Sequence, residues 1–265
     1  MGKANEILRS GRKIVLKIGS NVLTGVDGRP DAEIIANIAD QVSNLIEGGK
    51  QMILVSSGAE ISGAGAIGRW NRHGDINYKQ ALCAIGQVEL MLAYKKSFAK
   101  RGISVGQMLL TRDNFSDNNS SLHIRNTLFT LLDEKVIPII NENDSVSVEE
   151  MSIGDNDALA ALTANLWNAD LLILMSDIDG VYDKSPKDNA GATLIREVDD
   201  TERLEREIDV TGKSPFGTGG MVTKIEAAKS VGRFGTPLLL VNGKKTGILD
   251  HMIDGAEEGT IFLSR

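Results

Sequence analysis

The chain has 265 residues, 42% of them hydrophobic and 25% charged, with a net charge of −7 and one cysteine, Cys83. That length is enough to bury a sizeable core, and the acidic balance excludes a surface built to wrap nucleic acid while leaving room for a local basic cleft. No apolar run approaches the ~20 residues of a membrane span, the start Met1-Gly2-Lys3-Ala4-Asn5-Glu6 lacks the apolar core of a signal peptide, and a lone cysteine forms no internal disulfide; the reading is a cytoplasmic protein that uses neither membrane nor nucleic acid.

Residues 13–18, Lys-Ile-Val-Leu-Lys-Ile, make a nearly continuous apolar run of strand length, as a parallel strand covered on both faces requires, and end in Gly19-Ser20-Asn21. A lysine inside such a run is costly unless its ammonium finds anionic partners. Lys17 is therefore read as a functional cation at the C-terminal edge of a sheet, with an outward-pointing edge residue as the alternative. Asp31 caps a helix with Ile34, Ile35, Ile38, Val42, Leu45 and Ile46 on one face, ending at Gly48-Gly49. A second buried strand, residues 52–55, runs into Ser56-Ser57-Gly58-Ala59 and repeats the order strand, small hydroxyl and glycine, helix.

Residues 61–77 are rich in glycine and read as an exposed loop, with Arg69 and Arg72 as a solvated basic pair. From Tyr78 to Lys100 a long helix places Ala81, Leu82, Ile85, Val88, Leu92 and Phe98 on an apolar stripe for the core or a subunit interface, with Gln87 and Glu89 facing elsewhere. Cys83, among apolar neighbours, reads as a buried, inert thiol. Strands follow at 103–110 and 136–140, separated by a helix at 121–134, and Pro138 points to an edge or irregular strand. The fourth strand spills into Asn141-Glu142-Asn143-Asp144; residues 145–153 alternate like a hairpin that returns at Gly154-Asp155-Asn156-Asp157, where a helix over 158–167 starts.

That hairpin base gathers Asn141, Asn143, Asp144, Asp155, Asn156 and Asp157 in one small volume. Such a set suits an amino-acid ligand, because a carboxylate accepts an α-ammonium while amide and backbone N–H groups receive carboxylates. The EF-hand calcium pattern is not met, and His73, His123 and His251 have no metal-ligand spacing, so no residue is assigned to a metal.

A fifth strand, residues 171–175, ends in Ser176-Asp177-Ile178-Asp179, whose acids are turn formers or serve nucleotide or magnesium binding. Residues 183–215 read as a mobile polar insertion with an acidic helix around 199–207. It leads to Phe216-Gly217-Thr218-Gly219-Gly220-Met221-Val222-Thr223-Lys224, which packs glycines, threonines and a lysine into a helix start. Unpaired N–H groups and the positive dipole end make such a start an anion site, and Lys224, about one turn in, would stand beside the same anion. The stretch reads as a phosphate grip distinct from the common P-loop, whose Gly-x4-Gly-Lys-Ser/Thr spacing is absent; a flexible loop before an ordinary helix is the alternative. Strands at 238–243 and 260–263 close an unbroken alternation, which predicts one α/β domain over 1–265 with a mainly parallel sheet between helical layers.

Six stretches, Val15-Leu16-Lys17-Ile18-Gly19-Ser20, Val55-Ser56-Ser57-Gly58-Ala59, Gly106-Gln107-Met108-Leu109-Leu110-Thr111, Ile140-Asn141-Glu142-Asn143-Asp144, Gly154-Asp155-Asn156-Asp157 and the segment from Gly217 to Lys224, together resemble the glutamate 5-kinases of the amino acid kinase superfamily. The resemblance implies a three-layer α/β/α sandwich and ATP-dependent phosphorylation of the L-glutamate side-chain carboxylate to L-glutamyl 5-phosphate, the first step of proline biosynthesis, with ATP and Mg2+. It implies that Lys17 and Lys224 hold the phosphates and neutralise the transferring group, organised by Asp157. It places the nucleotide on Gly19, Ser20, Ser176, Asp177, Thr218, Gly219, Gly220, Met221, Val222 and Thr223 as well as the two lysines, and glutamate on Ser57, Gly58, Asn141, Asp144 and Asn156. It also implies feedback inhibition by L-proline and a homo-oligomer, dimer or tetramer. Many relatives continue into a small domain resembling RNA-modification modules, which this sequence is expected not to contain. Glu60 stands where the family pattern has an apolar residue, and Ser185-Pro186 where it often has Asp-Pro. Two alternatives stay open: another kinase of the superfamily, acting on aspartate, acetylglutamate, carbamate or a nucleoside monophosphate, or a non-catalytic amino-acid or nucleotide sensor on the same fold.

Overall fold

A computed structural model of the chain describes residues 2–69, 74–147, 156–184, 186, 191–207 and 220–264. It opens with α1 (Lys3–Ser10), β1 (Lys13–Ile18), α2 (Ser20–Leu23), α3 (Ala32–Glu47), β2 (Gln51–Ser56), α4 (Ala59–Ile67), α5 (Ile76–Ala99) and β3 (Ser104–Leu110). It continues through α6 (Arg112–Ser116), α7 (Asn118–Asp133), β4 (Val136–Glu142), α8 (Asn156–Trp167) and β5 (Leu171–Ser176). The remainder holds β6 (Val181–Tyr182), β7 (Leu194–Ile195), β8 (Glu197–Val198), α9 (Thr201–Glu207), α10 (Met221–Gly232), β9 (Leu238–Asn242), α11 (Ile248–Asp254) and β10 (Thr260–Phe262). Among the described residues, no helix is long and apolar enough to cross a membrane.

Among the described residues, eight strands form one sheet in the order β3-β4-β2-β1-β5-β9-β10-β8, and every neighbouring pair is parallel except β9 with β10. From β1 the chain moves outward through β2 to the edge strand β3, steps back to β4 between β3 and β2, then crosses to the other side of β1 as β5. A crevice opens at such a reversal, at the carboxyl ends of the strands, and ligands bind there in open α/β sheets. Gly19, Ser57, Glu142 and Ser176 all lie at that edge, immediately after or at the ends of β1, β2, β4 and β5.

Side-chain alternation splits the core into two layers. Ile14, Leu16 and Ile18 of β1 pack on one side with Leu8, Ile38, Tyr94 and Met252, from α1, α3, α5 and α11. Val15 packs on the other side with Leu128, Ala160, Ala164 and Ala228, from α7, α8 and α10. Lys17 shares the parity of Val15, so the strand itself aims it toward α8 and α10. Each fully buried Leu, Ile, Val or Phe in these layers contributes roughly 1.5–3 kcal/mol, which is why the two faces, rather than helix propensity, set where the helices sit.

Several sequence expectations change. Residues 59–67 are not loop but α4, packed on α5 so closely that a Cβ added to Gly63 would lie 1.9 Å from the Leu82 carbonyl oxygen, and one added to Gly86 1.9 Å from the Ala59 carbonyl oxygen. The glycines there serve a helix contact rather than a flexible segment. That contact rotates α5: Leu82, Gly86, Gln87, Leu90, Tyr94 and Phe98 turn inward, whereas Ile85, Val88 and Leu92 of the expected core stripe are exposed, Val88 to 59%. Pro138 lies in an interior strand, not an edge; its pairing with β2 is confined to Ile139 and Ile140, so the residue lacking an N–H precedes that ladder. Residues 183–215 are not all surface insertion, since β8 joins the main sheet beside β10, and Val198 and Leu204 are buried. The expected hairpin over 145–153 lies largely outside the described residues, as do Arg72 and most of the glycine-rich segment before Gly220.

Candidate active site

Three backbone features shape the crevice floor. The Gly19 N–H donates to the Met175 carbonyl at 3.0 Å, and the Ser57 N–H to the Ile18 carbonyl at 3.1 Å, so the ends of β1, β2 and β5 are stitched together. Gly58 then turns in the left-handed region, at φ 91°, to start α4, a conformation a side chain would strain.

Above this floor, Asp157 is completely buried in the first turn of α8, and Lys17 and Lys224 reach it from opposite sides. Lys17 Nζ lies 2.6 Å from Oδ1, and Lys224 Nζ donates to Oδ2 at 3.1 Å. Each lysine residue is only 5% exposed. Residues more than two hundred positions apart thus place their ammonium groups on one carboxylate. Burying three charges is unfavourable without close pairing, and a helix N-terminus is a favourable place for a carboxylate. Two cations around one fixed anion, at the ligand edge of the sheet, form an arrangement that fits the phosphate tail of a nucleotide.

The helix that carries Lys224 starts as the sequence suggests. Gly220 is its N-cap in extended conformation, and Met221, Val222 and Thr223 form its first turn, where N–H groups lack intrahelical partners. Thr223 Oγ1 is 2.9 Å from the Gly220 carbonyl and 3.2 Å from Asp157 Oδ2, and so couples the helix start to the buried carboxylate. Thr218 and Gly219 lie outside the described residues. Ser20 begins α2, next to Gly19. Ser176 Oγ donates to Asp177 Oδ1 at 3.3 Å, and Asn21 Nδ2 donates to Asp177 Oδ2 at 3.0 Å, which fixes that carboxylate beside the β1 end. Asp179 instead accepts from Asn242 Nδ2 and pairs with Lys245; those hydrogen bonds, Asn242 first, hold its carboxyl below the usual carboxylate range.

The amide cluster is assembled differently from the sequence expectation. Asn141 and Asn156 are both buried and bonded to each other, Asn156 Nδ2 donating to Asn141 Oδ1 at 2.7 Å. Asn156 Nδ2 also donates to the Ser56 carbonyl, and Asn141 Nδ2 to Gln87 Oε1 at 2.6 Å. With its amide hydrogens directed inward, Asn156 presents an acceptor oxygen, not the N–H donors expected for receiving a carboxylate. Asn141, 2% exposed, engages both ends of its amide with neighbours: Nδ2 with Gln87, and Oδ1 with Asn156 and the Glu142 N–H.

Asp144 and Asn143 border a cleft of about 570 Å3 between α5 and β3, lined also by Cys83, Gln87, Met91 and Gln107. Burial, then the Asp144 and Glu60 carboxylates, push the Cys83 thiol up, so it stays protonated and inert. Asp155 lies outside the described residues. Among the described residues, no group of three His, Cys, Asp or Glu side chains is placed to hold a metal ion.

Gln87 and Tyr94 were not foreseen. Tyr94 OH is 3.1 Å from Ser56 Oγ, and burial raises its phenol above the ordinary value. Both residues share helical spacing with the buried Leu90, which was a signal in the sequence for an inward polar face.

A model of the amino acid kinase family matches residues 12–242. The chain belongs to the amino acid kinase family. Within that family it is 55% identical to the glutamate 5-kinase of Alkaliphilus metalliredigens (strain QYMF) over 257 residues, covering 97% of this chain and 97% of the relative. Identity to the glutamate 5-kinase of Alkaliphilus oremlandii (strain OhILAs) is 52%, covering 97% of this chain and 98% of the relative. Among solved structures, a UMP kinase from Bacillus anthracis superposes with a TM-score of 0.67 at 14% identity, covering 96% of each chain, which shows the shared amino acid kinase fold and no more.

Proposed function

We infer that this chain catalyses ATP-dependent phosphorylation of the side-chain carboxylate of L-glutamate, forming L-glutamyl 5-phosphate for proline biosynthesis. Its glutamate 5-kinase relatives cover nearly its whole length at more than half identity, and the observation in the molecule that supports the reading is the joint seating of Lys17 and Lys224 on Asp157 beside the Asn141–Asn156 pair.

Phosphoryl transfer needs reactants held in line and positive charge where the phosphoryl oxygens carry it. A carboxylate oxygen of glutamate attacks the γ-phosphorus of ATP, the bond to the β,γ-bridging oxygen breaks, and ADP leaves. The acceptor is already an anion, so no general base is required. In this reading Lys17 and Lys224 hold the phosphates and offset the charge of the transferring group, and Asp157 keeps both ammonium groups in register. Gly19, Ser20, Ser176, Asp177, Gly220, Met221, Val222 and Thr223, with Thr218 and Gly219, frame the nucleotide. Ser57, Gly58, Asp144 and Asn156 hold glutamate; Asn156 offers its amide oxygen, and Asn141 acts behind it. Bound Mg2+ would supply further neutralisation of the phosphate oxygens.

The same reading includes residues 1–265 acting as one amino acid kinase domain in the cytoplasm, inhibition by L-proline as the end product, and assembly into a homo-oligomer, dimer or tetramer. Exposure of Ile85, Val88 and Leu92 beside the edge strand β3 supports the last.

ADP release measured with L-glutamate, L-aspartate, N-acetyl-L-glutamate, carbamate and UMP as acceptors tests the assignment. Release that depends on L-glutamate is expected; release with another acceptor only would move the chain to a sister activity, and none with any acceptor would favour a sensor.

A further inference from the structure

Gln87 sits midway along α5, 8% exposed, and takes no part in the phosphate grip. Its Oε1 accepts from Asn141 Nδ2 at 2.6 Å. The rest of the amide chain is fixed by the backbone at both ends. A backbone N–H can only donate, so the atom of Asn141 that faces the Glu142 N–H at 2.8 Å is its oxygen. A carbonyl can only accept, so the atom of Asn156 that faces the Ser56 carbonyl is its nitrogen. Those two constraints leave Asn141 turning an N–H toward α5, where the residue must present an acceptor.

The geometry points to Gln87 as a positioning residue for the amino-acid substrate: it anchors Asn141, and through Asn141 orients Asn156 so that an amide oxygen, rather than an N–H, is offered to the substrate's α-ammonium. The inference rests on the assignment of L-glutamate as substrate. Without an acceptor at position 87, the Asn141 N–H is buried and unsatisfied, and the pair regains a partner only by rotating, which withdraws or reverses the Asn156 amide. The nucleotide side is untouched, since Lys17, Lys224 and Asp157 make no bond to Gln87.

Three variants of the full chain test this by steady-state kinetics with both substrates, alongside thermal midpoints. Gln87→Met keeps the volume and removes the acceptor; KM for L-glutamate is expected to rise roughly ten-fold or more, the scale of one buried unsatisfied donor, with KM for ATP within two-fold of wild type. Gln87→Glu still offers an acceptor and is expected to restore KM for L-glutamate to near the wild-type value. Gln87→Asn keeps the amide but withdraws it by one methylene, and reads the same selective loss should the methionine variant not fold. The inference is overturned if KM for L-glutamate is unchanged in the acceptor-removing variants, if both KM values and kcat fall off together, or if the glutamate variant is as impaired as the methionine one. A wild-type chain with no glutamate-dependent ADP release overturns the substrate assignment and this inference with it, a result the wild-type control separates from failure at Gln87 alone.

Discussion

Lys17 and Lys224 hold their places because Asp157 does, and the energetics of that carboxylate differ from those of the cations. Removing one partner of a buried ionic cluster leaves the others uncompensated, which typically costs 3–5 kcal/mol. Asp157→Asn, which keeps the shape and removes the charge, is therefore expected to lower unfolding stability by about 3 kcal/mol in urea titration; an unchanged midpoint would show that the three charges are not energetically coupled. Lys224→Ala removes a cation instead, and the expectation is a kcat lower by about 100- to 1,000-fold with KM for L-glutamate changed only a few-fold. A variant with undiminished kcat would take Lys224 out of the phosphoryl-transfer role. At this scale the sequence was informative where a residue broke its local pattern: Lys17 stands out as a charge within an apolar strand, and Lys224 as a lysine after a run of glycines. It was silent on the direction of the amides, because whether Asn156 faces substrate with nitrogen or oxygen depends on Ser56, Asn141 and Gln87, which only the fold brings together.

Helix α5 shows how an element can be recognised and still be turned the wrong way. The apolar spacing of Ile85, Val88 and Leu92 marked a helix face but not the face that α4 would cover. Gly63 and Gly86 decide that question by letting the two backbones approach within contact that no Cβ could enter, and the glycine-rich composition that suggested a loop is the condition for this packing. Gly86→Ala should consequently be destabilising, against the ~1 kcal/mol that alanine normally gains over glycine in a helix, because its Cβ would meet backbone atoms of Ala59 and Gly63. Loss of at least about 2 kcal/mol, read from denaturant unfolding, is expected; a neutral or stabilising effect would mean that α4 and α5 do not pack as described. Since α4 starts at Gly58 and α5 carries Gln87, that substitution should also disturb glutamate binding more than ATP binding.

For the molecule as a whole, the mainly parallel sheet was legible from apolar runs each followed by small or polar residues, whereas the strand order that brings Gly19, Ser57, Asn141 and Ser176 to one edge comes from the fold. Short pieces such as β6, β7 and β8 were not legible, because two-residue strands carry too little periodicity to register. The exposed face of α5 also belongs to this scale. If it is a subunit contact, Leu92→Glu should shift the chain to a smaller species in light scattering after size exclusion, whereas a wild-type monomer, or an assembly indifferent to the charge, would rule this face out. The central claim, that a glutamate side-chain carboxylate oxygen takes the phosphoryl group from ATP, is tested most directly by isotope transfer. L-Glutamate labelled with 18O in its side-chain carboxylate, incubated with ATP and hydroxylamine, should yield the γ-hydroxamate and inorganic phosphate carrying one 18O atom, since the carboxylate oxygen becomes the bridge to phosphorus. Phosphate released without the label, or no hydroxamate, would contradict the account.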